Sequence, residues 1–166
     1  PNDPVAQWAK QFIQPFANAS KKFRNPSEFK GYKIEVIADD NLVNAFAAPG
    51  GYVYISTGLI KQASDCAEIA GVMGHELAHV TERHSARQLE KAFAVQLASD
   101  FFLDDGLTKT AAETIFQFLQ ATTFSRDHER EADDVGLVIS HDAGYDPDGL
   151  ARFFQTLLKL QKGSQP

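Results

Sequence analysis

Residues 75–79 read His-Glu-Leu-Ala-His. In a helix, residues four apart lie one above the other on the same face, so His75 and His79 would direct both imidazoles at one point. Glu76 would lie to the side of that point, within reach of a water held there. Two imidazoles and a neighbouring carboxylate from one helical turn suit a divalent metal ion, zinc above all, with Glu76 as general base. The chemistry such a trio supports is metal-assisted hydrolysis.

The motif needs a helix, and its surroundings supply one. Ala67, Ile69, Ala70, Val72, Met73, Leu77 and Val80 have helical spacing, and Asp65 with Glu68 three residues later resembles a capping box. The pattern predicts a helix from near residue 65 to about residue 84, bending into another over 85–102. Gly71, Gly74 and Ala78 fall near one stripe of it, where small side chains let a second element approach closely. Cys66, at the start of the helix, reads as a small core residue rather than a ligand. Further helices are predicted over 4–23, 109–123 and 127–143. A last one, capped by Asp146 with Pro147 at its first position, runs to about residue 161. Asp104-Asp105-Gly106 punctuates the chain between two of them.

Residues 32–38, 44–48 and 52–56 are β-rich and short, and Pro49-Gly50-Gly51 between the last two is turn chemistry. The order is helix, small sheet, then several helices. This is an α+β, helix-dominated fold with a small three-stranded sheet beside the motif helix. At 166 residues, residues 1–166 are expected to form a single domain.

A catalytic zinc ordinarily has three protein ligands and one open position, so a third donor is needed. The extended pattern with a third histidine six residues after His79 is excluded, because positions 82 and 85 hold Glu82 and Ser85. His84, five residues beyond His79 on a continued helix, would point roughly 140° away and is assigned to the surface or to a layer behind the metal. The remaining source is the acidic cluster from Ser125 to Asp134. Glu129 and Asp133 share one helical face that continues to Gly136, with Glu131 on roughly the opposite side. Read alone, the cluster is a solvated helix face paired with Arg126 and Arg130. With His75 and His79 upstream, Glu129 becomes the third ligand, and Asp133 accepts the other N–H of a ligating histidine and fixes its tautomer.

Taken together, these residues resemble the M48 metallopeptidases. The resemblance lies in His75-Glu-Leu-Ala-His79 followed by Val80-Thr81 and His84, and in Glu129-x-x-x-Asp133 within a Ser125-Arg126…Gly136 segment. Asn44-Ala-Phe-Ala, Pro49-Gly-Gly, Gly58-Leu59 and Gly144-Tyr-Asp-Pro147 add to it, so that it spans residues 32–150. It is similar to the soluble bacterial members rather than to the multi-spanning ones. The resemblance implies a gluzincin-like domain with one zinc on His75, His79 and Glu129, Glu76 as base and Asp133 behind the ligands. It also implies proteolysis of damaged or misassembled envelope proteins. The implied location is the periplasm or cell envelope, with any lipid anchor carried by a segment outside these residues. A protein or peptide substrate would add as an extended strand to an edge near Asn44–Ala48 or Tyr52–Ser56. Arg126, His128, His141 and Tyr145 are candidates to stabilise the oxyanion, and packing at a helix–helix corner equally explains Tyr145.

Composition narrows the alternatives. A net charge of −6 argues against an electrostatic grip on nucleic acid and suits anionic lipid poorly. No run approaches the ~18 apolar residues of a membrane span. The opening Pro-Asn-Asp-Pro reads as a mature or trimmed start. The lone Cys66 excludes an internal disulfide and leaves the redox compartment open. Two rivals remain. A zinc-binding, chaperone-like domain would not need Glu76. A di-iron bundle requires a second Glu-x-x-His pair, which His75, His84, His128 and His141 do not form.

Overall fold

The computed structural model describes residues 3–100 and 123–163. Asp3 caps the first helix, accepting the Val5 N–H at 3.0 Å, and Pro4 occupies its first turn. The stretch expected as one helix over 4–23 is two, α1 (Pro4–Phe12) and α2 (Gln14–Ala19), followed by a 3₁₀ turn over Ser20–Lys22. Pro15 causes the break: it has no N–H, and its ring clashes with the carbonyl a turn earlier. Phe12, Ile13 and Phe16 nonetheless stay on one buried face.

Strands β1 (Lys33–Ile37), β2 (Ala45–Ala48) and β3 (Tyr52–Ser56) form one sheet in the order β1-β3-β2. β1 runs parallel to β3, with Lys33 opposite Tyr52, and β2 runs antiparallel to it, with Ala48 opposite Tyr52. In the β2–β3 turn Gly50 and Gly51 have φ of 91° and 81°. A Cβ at Gly51 would also lie 2.3 Å from the Phe29 ring. The central strand is therefore β3, and β1 and β2 are the two edges, which removes Tyr52–Ser56 as an edge for substrate and keeps Asn44–Ala48.

After α3 (Thr57–Gln62), helix α4 (Cys66–Thr81) carries the motif. Asp65 caps it, accepting the Glu68 N–H at 3.0 Å as the capping pattern predicts. Twelve of its sixteen residues are buried, so it is a central helix rather than a surface one. Cys66, however, is exposed; at the first turn it precedes the buried part of the helix and is not a core residue. α5 (His84–Asp100), α6 (Arg126–Asp142) and α7 (Gly149–Gly163) complete the described helices. The last begins two residues later than predicted, because Asp146 accepts the Asp148 N–H and makes a turn there. The helix expected over 109–123 lies outside the described residues except for Thr123, which is not helical, and the break at 104–106 lies outside them too. Of the described helices, none is long and apolar enough to cross a membrane.

β2, α6 and α7 all pack against α4. The stripe of small residues makes this possible. A Cβ at Gly74 would sit 2.5 Å from the Gly136 carbonyl oxygen, and one at Gly136 would sit 2.7 Å from the His75 nitrogen. Bare backbone on both sides brings α6 against the motif turn. At the other end Thr156 of α7 donates to the buried Glu68 carboxylate at 2.8 Å, and Arg152 binds Asp65 at 2.7 Å. The core comprises Phe16, Val53, Ile55, Met73, Leu77 and Ile139, each under 2% exposed, worth roughly 1.5–3 kcal/mol per side chain.

Candidate metal centre

His75 and His79 project from one face of α4 toward the first turns of α6. Their Nε2 atoms are 3.1 Å apart. The Glu129 carboxylate closes the triangle, with Oε2 3.1 Å from His75 Nε2 and Oε1 3.3 Å from His79 Nε2. Among the described residues these three form the one group of histidine, cysteine or acidic side chains compact enough for a metal ion. Cys66 takes no part in it.

The donor set fits zinc on two counts. Two ligand atoms each about 2.0–2.1 Å from a tetrahedral cation stand about 3.4 Å apart, close to the three separations here. The protons are also arranged for it. His75 Nδ1 lies 2.9 Å from Asp133 Oδ1, a pairing that favours a hydrogen on Nδ1 and leaves Nε2 a bare lone pair. The angle is too bent to count as a formed hydrogen bond. His79 Nδ1 is likewise engaged elsewhere, 2.9 Å from His84. Two bare imidazole nitrogens and a carboxylate in van der Waals contact repel one another unless a cation lies between them.

His79 is 2% exposed. Burial, followed by the nearby His75, His84 and His128 rings, pushes its pKa down to about 2, so it is neutral and ready to donate its lone pair at any ordinary pH. The Phe124 ring stacks on its face at 4.0 Å.

Glu76 sits beside this group. Desolvation by burial and the neighbouring Glu129 carboxylate raise its pKa to about 8 against the lowering effect of a hydrogen bond donated by the Ala47 N–H. A bound cation would pull it back toward ionisation. Glu76 is thus a carboxylate of raised basicity, held in place by the backbone of the edge strand.

The trio opens into a cleft of about 310 Å³, lined on one side by Asn44–Ala47 of the β2 edge and on the other by Leu150, Phe153 and Leu157 of α7. Ala47 faces the cleft with both backbone groups engaged, its N–H on Glu76 and its carbonyl accepting from Ser85 Oγ at 3.1 Å. Ser85 stands where the excluded three-histidine pattern would need a ligand.

A model of peptidase family M48 matches residues 5–161. The chain belongs to peptidase family M48. It is 35% identical over 129 residues to a putative beta-barrel assembly-enhancing protease of Vibrio cholerae, a match covering 71% of this chain and 27% of that protein. It is also 35% identical over 145 residues to the mitochondrial metalloendopeptidase OMA1 of Arabidopsis thaliana, covering 85% and 29%. To metalloprotease YcaL of Escherichia coli it is 33% identical over 137 residues, covering 80% and 52%. The chain therefore spans between about a quarter and about half the length of these relatives. Membership places the chain in a family of peptidases.

The M48 structure also moves two residues from where helical geometry alone puts them. His84 does not continue α4. That helix ends at Thr81, and Arg83 takes the left-handed φ of 60°. The turn swings His84, fully buried at 0% exposure, back onto His79. Glu131 is on the far side of α6 from Glu129, as expected, and stays half-exposed, but His84 at the start of α5 reaches it, with Glu131 Oε1 2.7 Å from His84 Nε2. The signal for this was the loss of apolar spacing after Val80, which marks the helix end. Phe124 carried no recognisable signal.

The four oxyanion candidates are not brought to the metal group. His128 stacks on His84 at 4.3 Å, Tyr145 packs on Phe12 and Phe16, and His141 pairs with Asp142. None of them, Arg126 included, is among the described residues that line the cleft.

Proposed function

We propose that residues 1–166 are a single zinc endopeptidase domain that hydrolyses peptide bonds in unfolded or misassembled cell-envelope proteins. His75, His79 and Glu129 hold one zinc, Glu76 is the general base, and Asp133 orients His75. The observation that carries this reading is the placement of the Glu76 carboxylate, half-buried and made basic, beside three converging donors that open onto an edge strand.

Bound there, zinc supplies a Lewis acid that polarises the scissile carbonyl and lowers the pKa of water. Glu76 takes a proton from the attacking water as its oxygen adds to the carbonyl carbon. It then hands that proton to the departing amine nitrogen as the C–N bond breaks, giving a carboxylic acid and an amine, which ionise to carboxylate and ammonium. Deep burial of His79 and the Phe124 ring exclude bulk water from the rear of the site.

Substrate adds to β2 as a further strand. The backbone groups of Ala47 turn away from β3, and by the two-residue period those of Ala45 turn the same way. Those of Ala47 are taken by Glu76 and Ser85, which leaves Ala45 to bond an extended chain. Main-chain pairing gives affinity with little sequence choice, as suits a protease acting on unfolded chains. The bacterial relatives' names support a periplasmic or envelope location; the mitochondrial relative shares the chemistry, not the compartment.

The test combines metal analysis with casein cleavage, with and without chelator. Wild type cleaves and chelator stops it. Glu76→Gln retains one zinc per chain yet loses cleavage by at least about 10²-fold; His75→Ala and His79→Ala lose the metal. Zinc binding without any cleavage would instead support the chaperone-like reading, and cleavage by Glu76→Gln at the wild-type rate would remove the base.

A further inference from the structure

The two metal-facing histidines are supported differently. His75 Nδ1 faces a carboxylate directly. His79 Nδ1 faces His84 Nδ1 at 2.9 Å, and His84 Nε2 faces Glu131 Oε1 at 2.7 Å. We propose that His84 and Glu131 are positioning residues. They form a relay that holds His79 in the one tautomer able to give its Nε2 lone pair to the metal. This rests on the assignment of His75, His79 and Glu129 as ligands.

Counting hydrogens leads to the assignment. A carboxylate only accepts, so the hydrogen in the 2.7 Å contact belongs to His84 Nε2. Only one hydrogen fits in the 2.9 Å contact between the two Nδ1 atoms, and His84, with no solvent exposure, already holds its imidazole hydrogen on Nε2. Its Nδ1 is therefore a lone pair. The hydrogen between the two Nδ1 atoms must then come from His79. His79 Nε2 is left bare and aimed at the donor group. The opposite order would place a hydrogen on His79 Nε2 and block ligation.

The local fold is built around this relay. The left-handed Arg83 returns His84 to α4. The His128 ring lies flat on His84, 14° from parallel, and Phe124 covers His79. Both carboxylates come from α6, two residues apart: Asp133 serves His75 and Glu131 serves His79 through the inserted ring. Partners of this kind typically change metal affinity about 10–100-fold when removed.

The test uses the full chain and zinc itself, with affinity read by chelator competition. His84→Leu preserves apolar packing but leaves the His79 N–H without an acceptor, and should bind zinc about 10–100-fold more weakly. His84→Asn puts a carbonyl oxygen near the lost Nδ1 and should recover most of that affinity, although it packs worse. Glu131→Gln keeps an acceptor but no charge and should fall between. Thermal melts of the metal-free variants separate folding from binding. Long-range 15N–1H spectra of the zinc-loaded wild type need no variant, and should show His84 with its hydrogen on Nε2 and His79 with its hydrogen on Nδ1. Leucine binding as tightly as asparagine, or a hydrogen on His84 Nδ1, overturns the relay. If wild type binds no zinc, or His79→Ala binds it equally well, the ligand assignment fails first and the relay with it.

Discussion

The raised pKa of Glu76 makes the metal-free protein's stability depend on pH in a way one substitution should erase. Glu76 titrates near its ordinary 4.5 in the unfolded chain and at about 8 in the folded one, because burial and the Glu129 charge disfavour its ionised form. Below pH 4.5 both states are protonated, and the residue's contribution to stability is fully present. As pH rises from 4.5 to 8 the unfolded chain ionises and the folded one does not, so stability falls throughout that window and levels off above it. The full span corresponds to about 5 kcal/mol at about 1.36 kcal/mol per tenfold. Glu76 is only half-buried, so solvent screens part of that and leaves about 2–4 kcal/mol. Glu76→Gln has nothing to ionise and keeps the Ala47 N–H partnered. In chelator-treated samples, urea melts from about pH 4.5 to about pH 8.5 should give equal stabilities for the two proteins at the acid end. The glutamine variant should then lead by about 2–4 kcal/mol at the alkaline end. Other carboxylates titrate in both proteins and cancel in the difference. Parallel stability curves across the range would refute the claim that Glu76 is a strained, desolvated base.

Two further outcomes concern the backbone. Gly136→Ala places a methyl 2.7 Å from the His75 nitrogen, about 1 Å inside ordinary contact, which costs about 1–3 kcal/mol as overpacking. Part of this is offset by alanine's better helix propensity. The expected result is a lower melting temperature together with weaker zinc binding, both absent for Gly163→Ala, where a Cβ meets nothing within 4 Å. Arg83→Gly relieves a left-handed non-glycine residue and should stabilise the protein by up to about 1 kcal/mol with zinc affinity unchanged, whereas Arg83→Val should lose both; denaturant melts and chelator competition decide each.

Much of the centre was legible because it depends on local periodicity. The spacing of His75 and His79, the Asp65 cap and the Glu129–Asp133 pair all express one repeat of about 3.6 residues. A helix that carries them can present them in only one way. The β2–β3 hairpin was legible from Pro49-Gly50-Gly51, where Gly50 and Gly51 supply the positive φ that the turn requires. What escaped was decided between elements or by backbone conformation. Pro15 splits a helix whose apolar face continues unbroken, so periodicity alone joined α1 to α2. The sheet order is decided between elements, with β2 packed on α4 and β1 on α1, and only that order distinguishes the edge strand β2 from the central β3.

His84 shows why the shortfall falls where it does. Extrapolating α4 by five residues gives the right geometry for a helix that continues, but Glu82 and Arg83 give no glycine or proline signal that it ends. The left-handed Arg83 is tolerated because its successor in the chain is over-determined: His84 is buried, bonded at both ring nitrogens and stacked on His128. A non-glycine residue in that conformation costs roughly 1–3 kcal/mol. The chain retains it beside His79, the metal-facing histidine whose Nδ1 meets another ring rather than a carboxylate. The strain and the relay are therefore two aspects of one arrangement. The sharp turn after α4 exists where a metal-facing imidazole needs a partner that its own helix cannot supply.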